Sequence, residues 1–146
     1  MQIRKMTIAD YDSVYSLWIN TKGMGLNNVD DSSEGIEKYL NRNPDTCFVA
    51  EKDGNIVGVI LSGHDGRRGY IYHLSVKFSE RKQGIGNALL ERAMKALENE
   101  GINKVALVVF EKNEIGNDFW EKQGFTVRND LIYRNKSITA FERIDT

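Results

Sequence analysis

An α/β sandwich with a mixed sheet and helices on both faces is the fold class this sequence predicts. Short apolar, β-branched runs alternate with segments of helical periodicity, and turn residues punctuate them. A strand over Gly69–Val76 also runs straight into Arg81-Lys82-Gln83-Gly84-Ile85-Gly86, which opens a long amphipathic helix. The chain has 146 residues, 40% of them apolar, so it can bury a real core, and a single domain over 1–146 is expected.

Residues 3–6 read as a first strand. Thr7-x-x-Asp10 resembles a capping box with Asp in the closing position. The helix that follows puts Tyr11, Val14, Leu17 and Trp18 on one side and stops near residues 20–23. Residues 22–32 read as a loop. Ser32 or Ser33 caps a second helix through Ile36, Tyr39 and Leu40, which ends before Pro44. Residues 47–51 form a strand, Asp53-Gly54-Asn55 a hairpin turn, and 56–62 the return strand, with Gly58 marking a bulge or a close approach. A second turn at 65–69 leads into the strand ending at Val76. The third helix starts near Gly84, carries Ile85, Leu89, Ala93, Met94 and Leu97 on its apolar face, and ends at Gly101. Residues 105–110 are almost wholly apolar, as for a strand buried on both faces. Asn113 or Asn117 caps a fourth helix through Phe119 and Trp120, closed by Gly124. Residues 125–133 and 137–144 make a last pair of strands around Asn135-Lys136. The order is β α α β β β α β α β β.

Bulk properties exclude several classes of function. A net charge of −1 supplies no basic field for nucleic acid or an anionic membrane. The single cysteine, Cys47, rules out an intrachain disulfide, and with only His64 and His73 beside it no zinc site is indicated. The first residues lack the apolar run of a signal peptide, and no apolar run approaches the ~18 residues of a membrane span. A cytoplasmic protein is expected.

The chemistry concentrates at 81–86. First-turn N–H groups of a helix have no intrahelical partner, and the helix dipole adds partial positive charge there. Gly84 and Gly86 let a ligand approach the backbone, and Arg81 and Lys82 add full charges. The spacing fits neither G-x-x-x-x-G-K-[ST] nor G-x-G-x-x-G, since Leu89 stands where the third glycine belongs. The expected ligand is therefore a phosphate group held outside either of those motifs.

The element order and three local patterns resemble the GNAT superfamily of acyl-CoA-dependent N-acyltransferases, and in particular its short single-domain bacterial members. The pyrophosphate loop [RQ]-x-x-G-x-[GA] appears as Arg81-Lys82-Gln83-Gly84-Ile85-Gly86. The N-x-x-A-x-x-F-Y-x-x-x-G-F signature is matched by Asn113, Phe119, Gly124 and Phe125, with Gly116 in place of Ala and Trp120 in place of Tyr. A Leu17-Trp18 pair ends the opening helix, before a variable loop. The resemblance implies a mixed central sheet of about six to seven strands flanked by about four helices. It implies transfer of an acetyl group from acetyl-CoA, as cosubstrate and without a metal, to a primary amine of a small molecule or protein, by direct attack in a ternary complex.

On the same resemblance, Leu74, Ser75 and Val76 offer backbone groups to the pantetheine arm. Arg81, Lys82, Gln83, Gly84, Ile85, Gly86 and Asn87 hold the pyrophosphate. Asn113 bonds the pantetheine or caps its helix. Tyr72 falls where some members carry a base, with Tyr70 on the same strand face. Strand alternation puts His73 on the opposite face, as a packed core histidine. Trp120 cannot serve as the titrating acid that the family's Tyr provides. No nucleic-acid or membrane partner is implied, and the protein is expected to be a monomer or homodimer. The reading from a different class is a CoA-binding regulatory module that has lost catalysis, with Trp120 as its mark. A toxin-type acyltransferase acting on tRNA is disfavoured by the near-neutral charge. The acceptor's contacts are expected from residues 22–32 and the last hairpin.

Overall fold

Five strands form one sheet in the order β1-β3-β4-β5-β6: Gln2–Lys5 (β1), Phe48–Lys52 (β3), Asn55–His64 (β4), Gly69–Val76 (β5) and Val105–Ala106 (β6). The structure, a computed structural model, describes residues 1–146. The first four strands are antiparallel neighbours, and β5 and β6 run parallel. Gly25–Asn27 (β2) and Arg143–Asp145 (β7) pair as a separate antiparallel ribbon. The helices are Tyr11–Ile19 (α1), Ser33–Arg42 (α2), Ile85–Asn99 (α3) and Glu114–Lys122 (α4), with 3₁₀ turns at Ile8–Asp10 and Phe78–Glu80.

The sheet divides the core. On one face, α1 and α2 bury Val14, Trp18, Ile36 and Leu40 against Val49, Val59 and Leu61. On the other, α3 buries Ile85, Leu89 and Ala93 against Phe48, Ile60 and Ile71. The strand β4 lies between two neighbours and carries apolar residues to both faces, so it is the most continuously buried element. A Cβ at Gly58 would stand 3.0 Å from Leu89 and 3.1 Å from Ile85, so glycine there lets α3 lie close to the sheet. The adjacent irregularity in the β3–β4 ladder makes Gly58 both things the sequence suggests.

Three expected strands are corrected. The span 105–110 pairs only at Val105 and Ala106, and its residues are not buried on both faces; Val108 is exposed. Beyond Ala106 the run pairs with no strand, because its ladder with β5 ends there. The span 125–133 forms no strand, and of 137–144 only the last two residues do, within Arg143–Asp145; that strand pairs not with a hairpin partner but with Gly25–Asn27, a strand inside the span expected to be loop. Val127, Leu131, Ile132 and Ile138 stay exposed, and an apolar alternation with nothing to pack against does not hold a ladder. No helix is long and apolar enough to cross a membrane.

Candidate active site

The site lies where β5 and β6 part. Their ladder holds only at Gly69↔Val105 and Tyr70↔Ala106, although β5 continues to Val76. The edge of β5 from Ile71 onward therefore has no strand beside it. The pairing with β4 fixes which of its groups face that gap. Lys77 N–H donates to Val57 O at 2.8 Å across the Gly58↔Val76 pair. Ser75 therefore spends its main-chain groups on Val59, while those of Leu74 and Val76 point away from β4. The family resemblance implied all three for the pantetheine; the register separates Leu74 and Val76 from Ser75. The Ser75 side chain is buried, 3.2 Å from Thr21 Oγ1.

At the end of β5 the chain turns through Lys82 (φ 62°) and Gly84 (φ 80°) into α3. The first helical bond is Ala88 N–H to Gly84 O at 3.0 Å. The N–H groups of Lys82, Gln83, Gly84, Ile85, Gly86 and Asn87 have no acceptor within the chain. Six such donors at one turn, at the positive end of a 15-residue helix, form an anion-binding surface. Arg81 donates to Val76 O at 3.3 Å and lies over the Phe78 ring. Neither Arg81 nor Lys82 has a carboxylate partner, whereas the nearby Glu80 is neutralised by Lys52 at 2.9 Å. A Cβ on Gly86 would meet Phe119 at 3.6 Å and Val76 at 3.7 Å, which is ordinary contact. That room explains why Gly or Ala serves at this position.

The opposite wall of the gap belongs to α4. Asn113 caps it, its Oδ1 accepting from Gly116 N–H at 3.0 Å. The cap, one of the two roles considered for Asn113, uses its Oδ1 and leaves Nδ2 without a partner in the chain. The amide also explains Gly116: a Cβ there, or on Gly23, would lie 2.6 Å from Asn113 Nδ2. Asn113 thus packs against Gly23, in the loop after α1, as well as against the start of α4. Asn117, the other candidate cap, instead donates to Phe110 O and Asn113 O, each at 2.9 Å. Trp120 is half-buried, edge-on to Phe119 (5.0 Å) and Phe125 (5.1 Å) on the α3 side of the sheet.

The β4–β5 register changes the picture at Tyr72. Leu61 pairs with His73 and Ser62 with Ile71, so Tyr72 is an extra residue in a bulge. Ile71 and Leu74 face α3, while Tyr72 and His73 both face α1 and α2. The expected placement of His73 opposite Tyr72 is therefore corrected: the bulge breaks the alternation. Tyr72 is 54% exposed, with its ring 4.6 Å from Tyr70 and 5.6 Å from Tyr39. Partial burial, then the neighbouring Tyr133 and Asp30, raise the Tyr72 phenol above its ordinary value. Cys47 is fully buried, its thiol pushed up to about 12 by burial, as fits a packing residue.

His73 is 8% exposed, its Nε2 2.7 Å from Asp31 Oδ1, with Trp18 edge-on at 4.8 Å. Asp31 Oδ2 accepts from Asn27 N–H at 2.8 Å. Asp31 went unnoticed in the sequence because it sits in a polar loop with no motif. Its neighbour Asp30 and the serine cap Ser32 were the available signal that this loop is built rather than loose. Beside Asp31 an open cavity of about 260 Å³ is lined by Tyr11, Tyr15, Asn27, Asn28 and Ile144, so the ribbon of β2 and β7 borders it.

The model of the acetyltransferase (GNAT) family matches residues 11–125. An acetyltransferase of Sodalis glossinidius (strain morsitans) is 34% identical over 138 residues, covering 94% of this chain and 96% of the relative. One from Pectobacterium atrosepticum is 38% identical over 122 residues, 84% of this chain and 85% of the relative. Among solved structures, Ard1 from Thermoplasma volcanium superposes with a TM-score of 0.76 at 22% identity, over 87% of this chain and 83% of that one. The PaiA N-acetyltransferase from Thermoplasma acidophilum, solved in complex with coenzyme A, gives 0.74 at 21% identity, over 87% and 90%. A parted pair of parallel strands, a donor-rich turn before α3 and this match over most of the sequence agree: the chain belongs to the acetyltransferase (GNAT) family.

Proposed function

We propose that this protein is an N-acetyltransferase of the cytosol that moves an acetyl group from acetyl-CoA to a primary amine, by direct attack with both substrates bound. The observation that carries the reading is the run of six unpaired N–H groups at 82–87, continuous with the free edge of β5. Backbone donors of Gln83 to Asn87, with Arg81 and Lys82, hold the pyrophosphate. Leu74 and Val76 pair with the pantetheine amides, which sets the thioester beside β5. Acetyl-CoA supplies an activated acyl group whose thiolate is a good leaving group, of reference pKa about 8.5. Asn113 positions the α4 wall rather than touching the reacting atoms.

Two measurements test this. In calorimetry with CoA, Gly84→Val is expected to weaken binding about tenfold or more, and Arg81→Ala by less. A β-branched residue at φ 80° meets strain of at least 1–2 kcal/mol, or it turns the N–H groups away. Unchanged affinity in a folded Gly84→Val protein sinks the assignment of this turn. Thiol release from acetyl-CoA over a panel of small amines and peptides then reads the transfer itself. CoA binding with no release on any acceptor identifies a binding module instead.

Trp120 is not the proton donor in this reading. It packs between Phe119 and Phe125, and Phe keeps that aromatic body. Trp120→Phe is expected to retain most of its turnover. A fall of about a hundredfold in kcat with CoA affinity intact, ~2.7 kcal/mol, shows that the indole N–H acts in the transition state.

A further inference from the structure

We propose that His73, aligned by Asp31, is the group that takes the acceptor amine's proton; this rests on the acetyl-transfer reading above. Three features of the dyad point there. The bulge at Tyr72 turns His73 to the α1/α2 side, next to Leu74, whose main chain faces the gap between β5 and β6. Asp31 is 5% exposed and uses both carboxylate oxygens as acceptors, one for Asn27 N–H and one for the imidazole. A carboxylate that already receives one N–H calls for a second donor, which places the imidazole proton on Nε2 and leaves the lone pair on Nδ1. Finally, Nδ1 has no partner in the chain, yet it is not sealed: the polar side-chain atoms buried without a partner are Trp18 Nε1 and Tyr39 OH.

The step balances without a further reagent. The acceptor arrives as R–NH3⁺, and His73 Nδ1 takes one proton to give R–NH2. The amine nitrogen forms the new C–N bond as the C–S bond breaks. The second proton leaves with the CoA thiolate as CoASH, and the imidazolium returns its proton to solvent. Asp31 is a positioning residue: it fixes the tautomer and stabilises the imidazolium while it lasts. The titratable groups packed about this corner are Asp31 and Asp30 from the loop, Tyr11 from α1 (its hydroxyl donating to Asp31 O at 2.6 Å), Tyr39 from α2, and Tyr70 and Tyr72 from β5. No Lys or Arg pairs with Asp31, so the imidazolium is its only cation.

The test compares the parental protein with His73→Gln and Asp31→Asn in the thiol-release assay from pH 6 to 9, with thermal unfolding and CoA affinity as controls of folding. At pH 7 the His73→Gln rate is expected to fall about a hundredfold or more, and Asp31→Asn about tenfold or more. Both deficits are expected to shrink as the pH rises, because the free amine then sheds its own proton and needs no base. A deficit that stays constant with pH marks a structural histidine and overturns the proposal, as does a parental rate in His73→Gln. Imidazole ¹⁵N spectra of the unliganded protein are expected to show Nε2 protonated and Nδ1 bare; the reverse tautomer also overturns it. If the parental protein transfers to no amine while these spectra show the expected tautomer, the acetyl-transfer reading has failed and this role fails with it, though the dyad is present.

Discussion

A Tyr72→Phe enzyme is expected to keep its fold and its CoA affinity and to lose about ten- to a thousandfold in kcat, or ~1.4–4 kcal/mol of transition-state stabilisation. The fold should survive because the ring, not the hydroxyl, makes the contacts. Tyr72 packs edge-on to Tyr39 and tilted on Tyr70, and its oxygen bonds to nothing in the chain. The loss follows from where the bulge aims that oxygen. As the unpaired residue between Ile71 and His73, Tyr72 projects beside the point where β5 and β6 separate. Its phenol is raised, by burial first and then by Tyr133 and Asp30, so at neutral pH it stays protonated. That makes it a poor base and a good donor. The role it suits is a hydrogen bond to the thioester oxygen as negative charge develops there, a different task from the proton transfer assigned to His73. A Tyr72→Phe protein that turns over an identified amine at the parental rate across pH 6–9 reduces Tyr72 to a wall of the site.

What could be read from the sequence was local chemistry. The turn at 81–86, the third helix and its apolar face, and the Ser32 cap depend on residues within a few positions of one another. Each was legible for that reason. What depended on a partner far along the chain was not. The register slip between Leu61 and Ser62 decides the face of His73, and no alternation count within 69–76 contains it. The span 125–144 has strand-like composition, but whether it pairs depends on a surface to cover, and its apolar residues found none. Asp31 became a candidate only through a contact 42 residues away. Gly116, a departure from the signature's Ala, is explained only by the Asn113 amide folded over it. The cavity beside Asp31 was illegible for a related reason: its lining comes from loop residues, α1 and the β2–β7 ribbon, none of which carries a spacing rule.

Gly35 is the strongest case of a residue whose importance lies wholly in packing, and Gly35→Ala is expected to destabilise the protein by about 1–3 kcal/mol and to lower turnover with it. Propensity alone predicts the opposite. Gly35 lies within the first turn of α2, where Ala is favoured over Gly by ~1 kcal/mol. But a Cβ at Gly35 would stand 2.7 Å from the carbonyl carbon of Asp30 and closer still to the carbonyl oxygens of Val29 and Asp30. All three are main-chain atoms, so no side chain can swing away to make room. The turn 27–31 would have to lift off the start of α2, while Gly35 N–H is also held by Ser32 Oγ at 3.1 Å. Asp31 follows directly in that turn, and its carboxylate joins Asn27 N–H to the His73 imidazole. The damage should therefore reach the site as well as the stability. Gly86→Ala is the contrasting variant, since its new methyl finds ordinary contact distances and should leave the unfolding midpoint unchanged or raised. Urea unfolding of the two, beside the parental protein, decides the matter. A Gly35→Ala protein with a midpoint equal to or above the parental one would mean that the turn yields freely, and Asp31 would then be less firmly placed than the two hydrogen bonds of its carboxylate indicate.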